Sequence, residues 1–253
     1  MPGMIELLCE QNISWTLMSN TLQKHIENVR KEHTSTGKIV MKEMTFYGVI
    51  TQKLLGNNKV DGMFDYFNQL FINLKNNLSE NERKLLRGMI SNVLSNVSKD
   101  YLNFIGELAT LNYYMKSGLY DLINIEEPII QGRNMSADIF LKTKTDFSQT
   151  LIEVLNIHLE NKEFENSDEI KYHLESKFNK KIKNKMITED REIFIQPVLW
   201  LKDEATYRLL SDFYSETNFE MEKVKEPLTY CSFKLLNGSY EHKFESISTI
   251  MRF

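Results

Sequence analysis

Two acidic residues, Asp138 and Glu153, sit in apolar surroundings where a carboxylate needs a reason. Asp138 opens the run "ADIFL", and Glu153 interrupts "LIEVLNIHL". In the second run Leu151, Leu155, Ile157 and Leu159 share the alternation face of Glu153, while Ile152 and Val154 take the other. A strand apolar on both faces is a central strand covered from both sides. A carboxylate there must be offset by a cation, a proton or a cluster of donors. The intervening "TKTDFS" reads as a hairpin turn. Centred between Thr145 and Asp146, it makes Asp138 and Glu153 direct cross-strand partners, with Cβ atoms about 4.5–5.5 Å apart. Like charges so placed repel, and a divalent cation held between them resolves the conflict. A third acid, Glu107, lies three residues after Phe104 and four before Leu111, on the edge of a helix's buried face. Each acid also has a plainer reading. Asp138 could be a hydrogen-bonded strand-start residue, Glu153 a buried glutamate paired with a lysine, and Glu107 a solvated helix residue.

Basic groups follow. From Ser167, read as an N-cap with Asp168 and Glu169 in the first turn, a helix runs to about Met186. Its buried stripe is Ile170, Leu174, Phe178 and Ile182. Lys177 and Lys181 flank that stripe and could snorkel toward the two acids. The stretch "KFNKKIKNK" carries Lys177, Lys180, Lys181, Lys183 and Lys185. Such a run could neutralise phosphates along a nucleic-acid backbone, or form a solvated helix face. Asn156 and His158 fall on the alternation face opposite Glu153, where a satisfied core or edge role is expected.

The elements that must position these groups fall into two halves. Before residue 100 the pattern is helical. Trp15, Met18, Leu22, Ile26 and Val29 form one face, and Phe64, Phe67, Phe71 and Leu74 another. Residues 38–55 read as helix or strand, with helix favoured. Ser79 and Glu82 form a capping box that starts a helix with the stripe Leu86, Ile90, Val93 and Val97. A helix ending at Gly118 follows. Short β-type runs then alternate with two helical patterns, the second from Asp203 to about Ser215. This alternation predicts an α/β sheet with packed helices.

Composition sets outer limits. With 42% hydrophobic and 26% charged residues, and only 10 glycines and 4 prolines, the 253-residue chain has the balance of a soluble globular protein. A net charge of -4 excludes a global basic field, so any nucleic-acid contact must be local. Cys9 and Cys231 lack metal-ligand spacing and are expected to be buried and reduced, as in a cytoplasmic protein. The start "MPGMIELLCEQ" lacks the basic residues of a signal peptide, and no run is long enough for a membrane span. P-loop, H-E-x-x-H, C-x-x-C and G-x-S-x-G signatures do not occur.

An acid on a helix, then two acids on a hairpin, then a helix and another strand, resembles the PD-(D/E)xK nuclease superfamily, the restriction-endonuclease-like fold. The residues that carry the likeness are Glu107 in "GELATLNYYMKSG", Asp138 in "MSADIFL" and Glu153 in "LIEVLNIH". The resemblance spans roughly residues 100–200. It implies a helical region over 1–98 and, over 99–253, a nuclease-like domain whose mixed sheet is flanked by helices. It also implies Mg²⁺ or Mn²⁺ held by Asp138 and Glu153 with help from Glu107, a phosphodiester substrate (DNA before RNA), and a possible homodimer through the helical region. Where the family places lysine, two residues after the second acid, this chain has Leu155. Either the lysine has moved to the following helix, as Lys177 or Lys181, or the site is catalytically silent and the module only binds nucleic acid or a protein.

Overall fold

The computed structural model describes residues 45–54, 56, 58–96, 99–129, 135–185, 193–215 and 228–246, together with Glu27. The expected helix around Trp15 to Val29, residues 38–44, Val97 and Cys9 lie outside them. The chain forms two compact units, 1–112 and 113–253. The division falls inside a helix rather than in a linker.

In the first unit, α1 (Phe46–Leu54) makes the described part of the ambiguous segment helix. After a 3₁₀ turn at Asn58–Val60 come α2 (Asp61–Asn77), α3 (Glu80–Leu85), α4 (Arg87–Ser95) and the start of α5 (Tyr101–Lys116). Phe64, Phe67, Phe71 and Leu74 are buried, as their spacing predicts. Phe67 and Phe71 meet Phe46 with ring centroids 5.8 and 6.2 Å apart, and Tyr101 lies 6.1 Å from both Phe46 and Phe67. Pairs of this kind add about 0.5–1.5 kcal/mol each beyond the area they bury. The capping box is present: the Ser79 amide donates to Glu82 Oε2 at 2.8 Å, and the Glu82 amide donates to Ser79 Oγ at 3.4 Å. The single helix expected from Ser79 is instead two. The Leu86 amide donates to the Arg83 carbonyl, a tightened turn that separates α3 from α4 while keeping Leu86, Ile90 and Val93 buried.

The second unit is a six-stranded mixed sheet: β1 (Tyr120–Pro128), β2 (Ser136–Thr143), β3 (Gln149–His158), β4 (Ile193–Asp203), β5 (Leu228–Lys234) and β6 (Tyr240–Ser246). Spatial order follows chain order. The α/β class expected from the sequence is therefore the class observed. Strands β1, β2 and β3 form an antiparallel meander, as do β5 and β6, whereas β3–β4 and β4–β5 are parallel. Parallel neighbours need crossovers, supplied by α6 (Ser167–Lys185) and α7 (Glu204–Ser215). Both crossovers step the same way across the sheet, so their common handedness puts both helices on one face. There Ile170, Leu174 and Phe178 of α6 and Tyr207 and Leu210 of α7 pack on Ile157, Ile195, Leu199 and Phe233. Cys231 is buried in this core.

Two turn chemistries fix the ends. Gly118 takes φ +70° after α5, and its amide donates to the Met115 carbonyl at 3.0 Å. The cap of α6 is not Ser167, which is already helical. Asn166 Oδ1 accepts from the Glu169 amide at 3.1 Å, and Glu169 Oε2 reaches back to the Glu165 amide at 3.2 Å. Asparagine caps a helix as well as serine does, and here the residue one earlier has the non-helical backbone a cap requires. Among the described residues no helix is long and apolar enough to cross a membrane.

Candidate functional site

Strand β3 lies inside the sheet with neighbours on both edges, and Glu153 in its middle is 1% exposed. Its backbone partner on β4 is Ile195. Such a carboxylate demands a counter-charge, and α6 supplies one. Lys181 lies three residues beyond buried Phe178, at the edge of the apolar stripe, and its Nζ forms an ion pair with Glu153 Oε1. The Lys181 side chain is 25% exposed, so its stem lies along the core while its ammonium meets the acid. Of the two lysines the spacing allowed, Lys181 is the one that reaches Glu153. Lys177, Lys180 and Lys183 are exposed, and the Lys185 side chain lies outside the described residues.

The hairpin register matches the expected one. Ile139 pairs with Ile152 and Phe140 with Leu151, which makes Asp138 and Glu153 the next opposed positions. They fall one step beyond the last paired couple. There the Asp138 side chain takes over from the ladder: its Oδ2 accepts from the Val154 amide at 2.7 Å. The two acids thus stand at the open end of the hairpin, one tied to a β3 backbone amide and the other to an α6 ammonium. Leu155, two residues after Glu153, is half-buried and packs on the core beneath α6. That position faces the helix, where a leucine adds to the packed core.

Glu107 is half-buried on α5 within the other compact unit. Asn156 and His158 have the satisfied roles expected of them. Asn156 Oδ1 accepts from Trp200 Nε1 at 3.0 Å. His158 stacks on Trp200 with centroids 6.1 Å apart, and its Nδ1 lies 3.2 Å from Glu160 Oε1.

The donors at the hairpin end suit a hard divalent cation. Mg²⁺ is satisfied by one or two carboxylates with the remaining positions filled by water and substrate oxygens. Asp138 and Glu153 would be the holding residues. Among the described residues no three acids, histidines or cysteines cluster as a ligand set, so such an ion would lean on oxygens from outside those side chains.

Sequence reading missed two features here. One is the Val154 amide as partner of Asp138, a contact that becomes visible only where the ladder stops. The other is an open cavity of about 690 Å³ at the start of α6, lined by Lys162, Phe164, Tyr172 and His173 among others. The chain matches no family model, no curated protein and no solved structure.

Proposed function

We propose that this chain is a metal-dependent nuclease that hydrolyses phosphodiesters, DNA before RNA, with Asp138 and Glu153 as its metal-holding acids. The observation that carries the reading is the Lys181–Glu153 ion pair at the end of a hairpin where Asp138 stands opposite. A lysine reaches the second acid from the following helix, which supports a relocated lysine in place of the one expected at Leu155. The element order (a helix, a three-strand meander, a helix, a parallel strand) supports the same resemblance.

A bound Mg²⁺ or Mn²⁺ would supply Lewis acidity toward water and phosphate. The remaining work falls to the chain. The Val154 amide fixes the Asp138 carboxylate, Lys181 pairs with Glu153 and stands ready beside the attacked phosphate, and Glu107, the helix acid of the resemblance, lies in the other compact unit. Lys177, Lys180, Lys183 and Lys185 are assigned to the nucleic-acid backbone. A cytoplasmic setting and a homodimer through the helical unit belong to the same proposal, on the cysteine usage and the Phe-rich helices respectively.

A second reading has its own support. Both acids already have partners, so the pair could be a structural remnant in a module that only binds nucleic acid or protein. Cleavage of circular and linear DNA and of single-stranded RNA, with Mg²⁺ or Mn²⁺, separates the two. Metal-dependent cutting lost in both Asp138→Ala and Glu153→Ala is the expected result. Absence of cutting, together with calorimetry that detects no divalent-metal binding, would establish the silent module.

A further inference from the structure

The cavity at the start of α6 sorts its lining by chemistry. Tyr172 is 76% exposed and offers a ring face to solvent. Phe164 packs partly against the core beneath α6, and its ring lies 6.2 Å from that of His173, inclined by 51°. Lys162 Nζ approaches His173 Nδ1 at 3.3 Å. Burial, Lys162 and Lys177 together hold the His173 imidazole below its usual range. A neutral ring bracketed by two ammonium groups is a place where an anion would be welcomed. Exposed Glu163, Asp168 and Glu169 line the same cavity, acceptors that would keep a phosphate on the Lys162 side but take hydrogen bonds from the amino and imino groups of a base.

One helix row joins this cavity to the acids. His173, Lys177 and Lys181 succeed one another at four-residue steps, about 6 Å of rise each, so the cavity lies about 12 Å along α6 from Lys181. We infer that the cavity beside Tyr172 holds one unpaired nucleotide of a single-stranded nucleic acid, whose backbone follows the His173–Lys177–Lys181 row. The base lies on Tyr172 and Phe164 with its polar edge toward Glu163 and Asp168, and the phosphate lies toward Lys162 and Lys177. A volume of about 690 Å³ accommodates a nucleotide. A duplex keeps its bases stacked and cannot fill such a cavity, so the preferred strand is single. This inference deepens the nuclease reading and rests on it for the direction of the strand.

The test is fluorescence anisotropy in EDTA with labelled oligonucleotides of about 12 nucleotides, within the usual footprint of such grooves. DNA and RNA single strands are run beside the matching duplex. Tyr172→Ala should weaken single-strand binding about tenfold, the usual effect of losing one stacked base, with Tyr172→Trp restoring it and duplex binding unchanged. Lys162→Ala should lower the salt slope by about 0.7 for the single strand. Unchanged single-strand affinity in Tyr172→Ala, an equal loss on duplex, or no binding of either strand by the wild type would overturn the inference. Cleavage is not read in this assay. Binding through Tyr172 by a protein that never cuts would remove the nuclease reading alone, and cutting that ignores Tyr172 would remove this one alone.

Discussion

The two faces of the sheet bury polarity in opposite ways. On the α6 face a carboxylate, Glu153, is enclosed and met by the Lys181 ammonium. On the other face Asn156, Trp200, Tyr230 and His242 are linked through hydrogen bonds and rings, and the carboxylate beside that network, Glu160 at His158, keeps a fifth of its side chain exposed. Trp200 donates to Asn156, stacks on His158 and stands edge-on to Tyr230, which stacks in turn on His242. The Tyr230 hydroxyl lies 2.7 Å from His242 Nδ1. Neutral hydrogen bonds with aromatic packing serve folding well, because no ion has to leave water. A buried ion pair seldom improves on an apolar replacement of the same shape. The face that keeps one is therefore the face where a role beyond folding should be sought.

The largest effect expected from that contrast lies at the ion pair. Lys181→Met leaves the Glu153 charge enclosed and should cost about 3–5 kcal/mol. The double change Lys181→Met with Glu153→Leu should recover most of that loss, or exceed the wild type. Urea unfolding of the three proteins, read at a common slope, gives the answer. Equal stability of the single and double variants would mean that the pair carries no special strain and that the two faces do not differ in kind.

The opposite face should show itself through pH. Burial pushes the His242 imidazole down to about 3. The ordinary value is about 6.5, so in the window between the two the unfolded chain takes up a proton that the folded chain refuses. Stability from this group is complete above about pH 6.5, falls as the pH drops and stops falling below about pH 3, by a few kcal/mol in all. His242→Gln should flatten that limb of a pH series of thermal or urea unfolding curves. An unchanged slope would show that His242 takes up its proton in the folded protein.

Much of this was legible before any coordinates. The hairpin register follows from a turn centred between Thr145 and Asp146, which pairs Ile139 with Ile152 and Phe140 with Leu151. Strands β2 and β3 lie where their apolar runs were read, and the α2 stripe is buried as its spacing requires. The break at Leu86 was not legible, since an apolar stripe continues unchanged through one tightened turn. Nor was the choice between Lys177 and Lys181. Both flank the stripe, and only the helix's rotation over β3 turns one toward Glu153 and leaves the other in water. The cap at Asn166 was hidden by a neighbour, Ser167, of equal capping ability.

The smallest effect sharpens the comparison most cleanly. Trp200→Phe keeps a ring to stack on His158 and to meet Tyr230 but removes the indole N–H that Asn156 Oδ1 accepts. Loss of one neutral hydrogen bond should cost about 1 kcal/mol. A cycle with Asn156→Ala should isolate a coupling of about the same size, read from urea midpoints. The same logic applied to Lys181 and Glu153 should give a coupling several times larger, because there the orphaned partner is an ion. Should the two couplings come out alike, the enclosed carboxylate behaves like any neutral acceptor, and the energetic argument for a working site on the α6 face loses its footing.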